Sequence, residues 1–282
     1  YAWRRYGDAA GNVTGYALLA FGLFPTTFFF RMNYSESSFL FFGILAMLAM
    51  ERRWPLIATA LIVGLSTATR PVGIAIVPVF WLSVWQRSTG WREFAFRSAF
   101  LLPLALWGLI GYMFYQYRAF EQPFAFAATQ DHWTFRQPVP FGEKLLAILS
   151  HEPIWSVYDP SSEAYWQRIQ PKPLAWSNLA LANPLYFLFG VGLVIVGRWK
   201  NWLNTNETVL ASFLILIPYV TRGFEMCMLS QGRFIAAVFP IYLVMGHLLS
   251  KCPAPCAALL LSLSAIVLAI YAAQFAAGYM LI

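Results

Sequence analysis

Charge is what this chain has least of. Only 11% of its residues are Asp, Glu, Lys or Arg, against 60% hydrophobic ones, and the mean hydropathy of +0.59 lies outside the range of soluble globular domains. Histidine and cysteine are scarce too, at three each. None of them stands at a metal-ligand spacing, and the Cys252-Pro-Ala-Pro-Cys256 stretch is neither a redox nor a zinc motif, so free thiols and no metal are expected. No basic run exceeds two residues, which removes a nucleic-acid patch as the reason for the net charge of +7. Low-complexity segments, short-period repeats and a soluble second domain are also missing. The opening Tyr-Ala-Trp-Arg-Arg carries neither an initiator methionine nor a signal-peptide pattern, and is expected to continue a longer N-terminal sequence.

What is there is apolar runs, at about 13–30, 37–50, 54–69, 72–85, 98–115, 179–197, 208–221, 234–250 and 257–280. They imply an all-α, polytopic membrane protein of about nine spans. Arg70-Pro71 interrupts the stretch from Trp54 to Val84. As one helix that stretch would run about 50 Å, far beyond a hydrocarbon core of about 30 Å. Two short spans meeting at Arg70-Pro71-Val72-Gly73 fit better and place Arg70 at the outer surface. Alternation from an inner start then puts Arg4/Arg5, Arg52/Arg53, Arg87/Arg92/Arg97, Arg198/Lys200 and Lys251 on the cytoplasmic side. Arg31, Arg70, Arg222 and Arg233 are left as the basic residues of the short outer loops. The chain divides into an N-terminal bundle, 1–115, an outer or lumenal loop, 116–178, and a C-terminal bundle, 179–282.

The long loop holds five basic and six acidic side chains and is therefore no basic patch. Phe141, Leu145, Ile148 and Leu149 share one helical face and predict a short interfacial helix. Trp155, Tyr158, Tyr165 and Trp166 suit a headgroup layer. The tract Gln170-Pro171-Lys172-Pro173 reads as a stiff return to the membrane, and Asn183-Pro184 as the start of the next helix.

A lone guanidinium at membrane depth normally faces a polar cavity or a phosphate. Arg70 is the leading candidate, with snorkelling at a turn as the ordinary alternative. Arg233 is the second, although it could merely flank its span. Glu36 could be no more than a first-turn acid behind a Ser35 N-cap, and Tyr34 an interfacial aromatic. Arg222 is more simply a flanking residue, paired with Glu225 in the same loop. Asp131-His132-Trp133 resembles an acid–base pair, but adjacent residues do not face one another in regular structure, which favours a structural or substrate-positioning role.

Several motifs carry a family resemblance. Leu23-Phe24-Pro25-Thr26-Thr27-Phe28-Phe29-Phe30 followed by Asn33-Tyr34-Ser35-Glu36-Ser37, then Ala49-Met50-Glu51-Arg52-Arg53-Trp54 and Ser66-Thr67-Ala68-Thr69-Arg70-Pro71-Val72-Gly73, resembles the GPI second-mannose transferase family and its prokaryotic relatives. Gln130 with Trp133, and Ser230-Gln231-Gly232-Arg233-Phe234 leading to Phe239-Pro240, are similar to features found more loosely across membrane-embedded C-type glycosyltransferases. The resemblance covers residues 13 to about 85 well and the middle loop not at all.

It implies an enzyme of the bacterial cytoplasmic membrane or the ER membrane. Such an enzyme moves a sugar, with mannose expected, from a polyprenyl-phosphate donor to a lipid-linked or glycan hydroxyl on the outer or lumenal face, with inversion and no further cofactor. The implied substrate contacts are Arg70, Arg233, Tyr34, Glu36, Gln130 and Trp133. Arginine suits a phosphate leaving group, a carboxylate the acceptor proton, and aromatic faces the sugar ring. In that family the key acid lies in the first outer loop, so the catalytic carboxylate is expected upstream of Tyr1, with Glu36 as the fallback, and the chain alone is expected to be inactive. A lipid or solute transporter or flippase, and a non-catalytic subunit or fragment, remain open. The clustering of non-cytoplasmic charge at one face favours surface chemistry over the broken mid-membrane helices of a transporter.

Overall fold

Helices in this chain begin and end where the sequence withholds a backbone donor or a run of apolar side chains. A computed structural model describes residues 1–6, 11–166 and 178–278, and among these the protein is helix and turn with no strand. A short α1 (Ala2–Tyr6) precedes α2 (Gly11–Leu23). Pro25 has no amide to continue the ladder, and the chain bends by 75° into a 3-10 helix, Pro25–Arg31. The helices α3 (Glu36–Glu51) and α4 (Leu56–Thr69) pack side by side across the turn at Arg52–Pro55. A second 3-10 stretch, Pro71–Ile76, leads into α5 (Val77–Gln86).

Next, α6 (Trp91–Ala105) meets α7 (Trp107–Phe120) at a 49° bend, just past Pro103. In the long segment α8 spans Phe141–Leu149. After the long segment come α9 (Leu179–Trp199), α10 (Thr205–Arg222), α11 (Gln231–Ala236), α12 (Pro240–Lys251) and α13 (Ala254–Ala276). Side-chain caps fix two starts. Asn178 accepts from the Ala180 amide at 3.0 Å, and Asn204 forms a reciprocal capping box with Glu207.

Arg70 sits between α4 and the 3-10 stretch in extended backbone, φ −155° and ψ 143°. Pro71 enforces this, because its ring disfavours the helical region for the preceding residue. The chain then doubles back: a Cβ on Gly73 would lie 2.5 Å from the Ser66 carbonyl oxygen. At the far end of α5, the Arg87 guanidinium donates to the carbonyls of Trp54 at 2.7 Å and Met50 at 2.9 Å. The Arg70 turn and the Arg87 turn therefore cap opposite ends of a short antiparallel pair. On the Arg87 side, Arg97 donates to the Arg87 carbonyl at 2.7 Å. At the corresponding end of α10, Arg5 pairs with buried Glu207 and Lys251 lies 4.4 Å from the Trp202 ring centroid.

Close helix packing relies on small residues, as is common where apolar solvent gives helices little reason to associate. A Cβ on Gly108 of α7 would lie 2.1 Å from the Gly64 carbonyl of α4, and one on Gly246 of α12 would lie 2.5 Å from the Val13 carbonyl of α2. Phe28, Ile76, Val79, Phe80, Ile235 and Ile241 are buried in the core. Meanwhile Phe96, Phe100, Phe114, Leu185, Ile195 and Leu259 are exposed, so large apolar side chains also face outward. Two helices, α9 and α13, are long and apolar enough to cross a bilayer, and two bent pairs raise the number to four if each pair is one span.

That number is lower than the nine runs suggest, because the backbone breaks what hydropathy averages. The run 13–30 is cut at Phe24-Pro25, and the run 234–250 is cut between Ala236 and Pro240. The run 98–115 belongs to a bent pair that extends from Trp91 to Phe120, so the boundary at 115 falls inside a helix. The expected start at Asn183-Pro184 is displaced: Asn178 caps α9, and Pro184 sits inside it. The Gln170–Pro173 tract lies outside the described residues.

Candidate functional site

Glu36 opens α3 and is completely buried. Ser35 makes no capping bond to it; instead, Ser37 donates to the Phe30 carbonyl at 2.5 Å and closes the turn that follows the first 3-10 helix. On Glu36 Oε1 two guanidinium groups converge. Arg70 Nη1 lies 2.5 Å away, and Arg233 Nε forms an ion pair and hydrogen bond with the same oxygen. Oε2 has no partner among the described residues. Both arginine side chains are mostly buried, at 16% and 20% exposure, so the trio is a desolvated unit with one positive charge in excess.

Aromatic rings complete it. Arg233 lies 4.4 Å from the Tyr34 ring centroid and 5.1 Å from that of Phe29, while Arg70 lies 6.0 Å from Phe234. Arg233 is aimed by its neighbours. The Gly232 amide donates to Asn183 Oδ1 at 2.8 Å, and its carbonyl accepts from Thr26 Oγ1 at 2.7 Å. A Cβ at Gly232 would approach Asn183, Thr26 and Tyr186 at 3.0 Å each, so only glycine fits without displacement. The chain reaches this point through left-handed backbone at Cys227, Met228 and Ser230, φ 48°, 62° and 64°.

Beside the trio opens a cavity of about 1090 Å³. Arg70 and Phe234 form one wall, Pro218 and Arg222 of α10 another, Tyr112 and Gln116 of α7 a third, with Gln130 and His132 over them. Of the expected substrate contacts, Arg70 and Gln130 line this cavity and Arg233 does not. Glu36 stands behind Arg70, and Tyr34 beneath Arg233. Trp133 is 41% exposed on the 3-10 turn Thr129–Trp133 and does not line the cavity.

The expected Arg222–Glu225 pair is replaced. Glu225 binds Lys144 of α8, and Arg222 donates to the Ala127 carbonyl at 3.2 Å with Asp131 at 4.0 Å. Residues 222–225 run through the end of α10 into a turn, so side chains three apart do not meet as on a helix face. Sequence reasoning passed over Gln116, a buried amide in an otherwise apolar aromatic helix, although its polarity was a usable signal.

The segment after α7 is held over this end by Arg136. Its guanidinium binds both Glu152 oxygens, at 2.7 and 2.9 Å, and Ser156 Oγ at 2.5 Å, and lies 4.5 Å from the Phe224 ring centroid. Burial is the largest single influence and disfavours the Arg136 charge, but the hydrogen bonds and charge of Glu152 together with neighbouring Cys227 outweigh it and hold the pKa above the ordinary value. In α8, Ile148 is buried and its carbonyl accepts from Tyr219 at 3.0 Å, while Phe141, Leu145 and Leu149 are exposed.

Fold and site together define an all-helical protein with an apolar surface, carrying a buried two-arginine, one-carboxylate cluster beside a large cavity. Compared with protein-family models, curated proteins and solved structures, the chain matches none.

Proposed function

We propose that this protein is a membrane glycosyltransferase of the C-type architecture, with its helices arranged as nine crossings. It transfers a sugar, mannose in the first instance, from a polyprenyl-phosphate donor to a lipid-linked or glycan hydroxyl at the outer or lumenal face. The observation that carries the reading is the pair Arg70 and Arg233 on the single carboxylate of Glu36, with Arg70 on the cavity wall. One excess positive charge in a desolvated setting suits a phosphodiester, and the charge that develops as the sugar–phosphate bond breaks strengthens the attraction.

In this scheme the acceptor oxygen bonds to the anomeric carbon as the phosphate oxygen departs from the opposite face. The phosphate leaves on Arg70, with Arg233 behind it on Glu36, and the acceptor proton passes to a general-base carboxylate. Glu36 lies behind Arg70 with one oxygen occupied by both guanidinium groups, which supports a role in positioning them over one in taking the proton. Phe234 and Tyr112 offer apolar surface for the donor, and Gln130 a hydrogen-bonding group.

The test is transfer from polyprenyl-phosphate mannose in membranes containing the full-length protein. Arg70→Ala is expected to lower the rate by about 10²-fold or more, the usual effect of removing a donor that stabilises transition-state charge. A wild-type protein that uses no polyprenyl-phosphate sugar, or an Arg70→Ala variant at the wild-type rate, would sink the proposal.

A further inference from the structure

We infer that a second, smaller cavity binds the acceptor as a hydroxyl-rich saccharide; this rests on the transferase reading above. The cavity measures about 470 Å³, within the usual size range of small-molecule sites. Asp131, Gln137 and Lys144 of the outer segment face Arg222, Phe224 and Glu225 across it. It adjoins the large cavity, with which it shares lining. Arg222 lines both, and Asp131 lines the small cavity while its neighbours Gln130 and His132 line the large one. A transferase needs this adjacency, because the reacting oxygen and carbon must come within about 3–3.5 Å.

The chemistry of the walls selects the ligand. Two acids and two bases leave no net charge, which suits neither a phosphate nor a carboxylate. A polyprenyl tail would strand these polar groups without water. Sugar hydroxyls, each both donor and acceptor, match both kinds of group, and Phe224 offers a ring for the apolar face of a pyranose. Two carboxylates of the lining have hydrogen-bonding capacity left. Glu225 Oε1 is taken by Lys144, but Oε2 is shielded from solvent and has no partner among the described residues. Asp131 lies 4.0 Å from Arg222, too far for a hydrogen bond, with its side chain 81% exposed. The exposed Asp131 carboxylate can accept from a sugar hydroxyl directly, and Glu225 Oε2 can do so once its side chain turns into the cavity.

The site is also largely preformed. The Phe135 amide donates to the Glu225 carbonyl at 2.9 Å, Lys144 bridges to Glu225, and Arg136 braces Phe224. A ligand would find the two sides already tied together, which lowers the ordering cost of binding.

The full-length protein in lipid nanodiscs can be titrated with methyl α-mannopyranoside and with N-acetylglucosamine, read by saturation-transfer difference NMR. Saturation transfer to at least one sugar is expected, and Glu225→Gln should weaken its binding by about tenfold, the low end for a hydrogen bond to a charged group. Because Glu225 also holds Lys144, Gln137→Ala serves as the second variant. Its side chain is exposed, so weaker binding with an unchanged melting temperature is expected. In the transfer assay Gln137→Ala should raise KM for the acceptor and leave KM for the donor unchanged. No saturation transfer with wild type, or equal binding by both variants, overturns the subsite even if donor turnover is intact. Sugar binding lost in the variants, in a protein that never uses the donor, would keep the subsite and remove the transferase reading.

Discussion

Replacing Glu36 by glutamine changes almost no volume and removes the single negative charge between Arg70 and Arg233. In the native protein the three groups carry one positive charge in excess; in Glu36→Gln two guanidinium groups, each at least four-fifths buried, face a neutral amide. Breaking a buried ion pair from one side typically costs about 3–5 kcal/mol, because the remaining charge is left uncompensated. With about 2–4 °C per kcal/mol for a chain of this size, the melting temperature should fall by about 6–20 °C. Differential scanning fluorimetry of the detergent-solubilised protein measures this directly. Adding Arg233→Gln restores the native excess of one charge, so the double variant should melt higher than Glu36→Gln alone. That inversion of sign distinguishes electrostatics from lost packing. A Glu36→Gln protein within about 2 °C of wild type, or a double variant less stable than either single one, would refute the reasoning.

Two further outcomes are expected. Gly232→Ala places a Cβ 3.0 Å from Asn183, Thr26 and Tyr186; it should cost about 1–3 kcal/mol as overpacking and lower donor transfer by misaiming Arg233, read as a drop in melting temperature together with kcat. A cysteine introduced at Glu143, in a background lacking Cys227, Cys252 and Cys256, should react with an impermeant maleimide added from the outer side of sealed membranes. Labelling only from the cytoplasmic side would reverse the assigned orientation.

Local features of the fold were legible because local physics sets them. The chain turns at Arg70, since Pro71 forces extended backbone there and a helix through it would overrun a bilayer. The helix over Phe141–Leu149 follows from its apolar stripe, and Arg87 lies beside the turn that carries Arg52 and Arg53, as the charge alternation requires. Helix ends were less legible than apolar runs, because hydropathy averages across a break. Nothing in apolar composition marks the 75° bend at Pro25 or the interruption before Pro240 as ends of helices rather than tolerated prolines.

The candidate site was legible as a set of residue types but not as an arrangement. An arginine before proline in an apolar run, an acid at a helix start and an arginine after glycine are visible one by one. That Glu36 joins Arg70 and Arg233, the latter 197 positions away, follows from helix packing that no periodicity encodes. Glu225 pairs with Lys144 and not with nearby Arg222 for the same reason: at the end of a helix, sequence proximity no longer fixes which side chains meet. The sequence alone determined that the chain is apolar and helical and which few charges it keeps. Packing alone decided which of those charges share a carboxylate, because Coulombic partners are chosen by distance in space, and close contacts such as those of Gly232 with Asn183 and Thr26 seat Arg233.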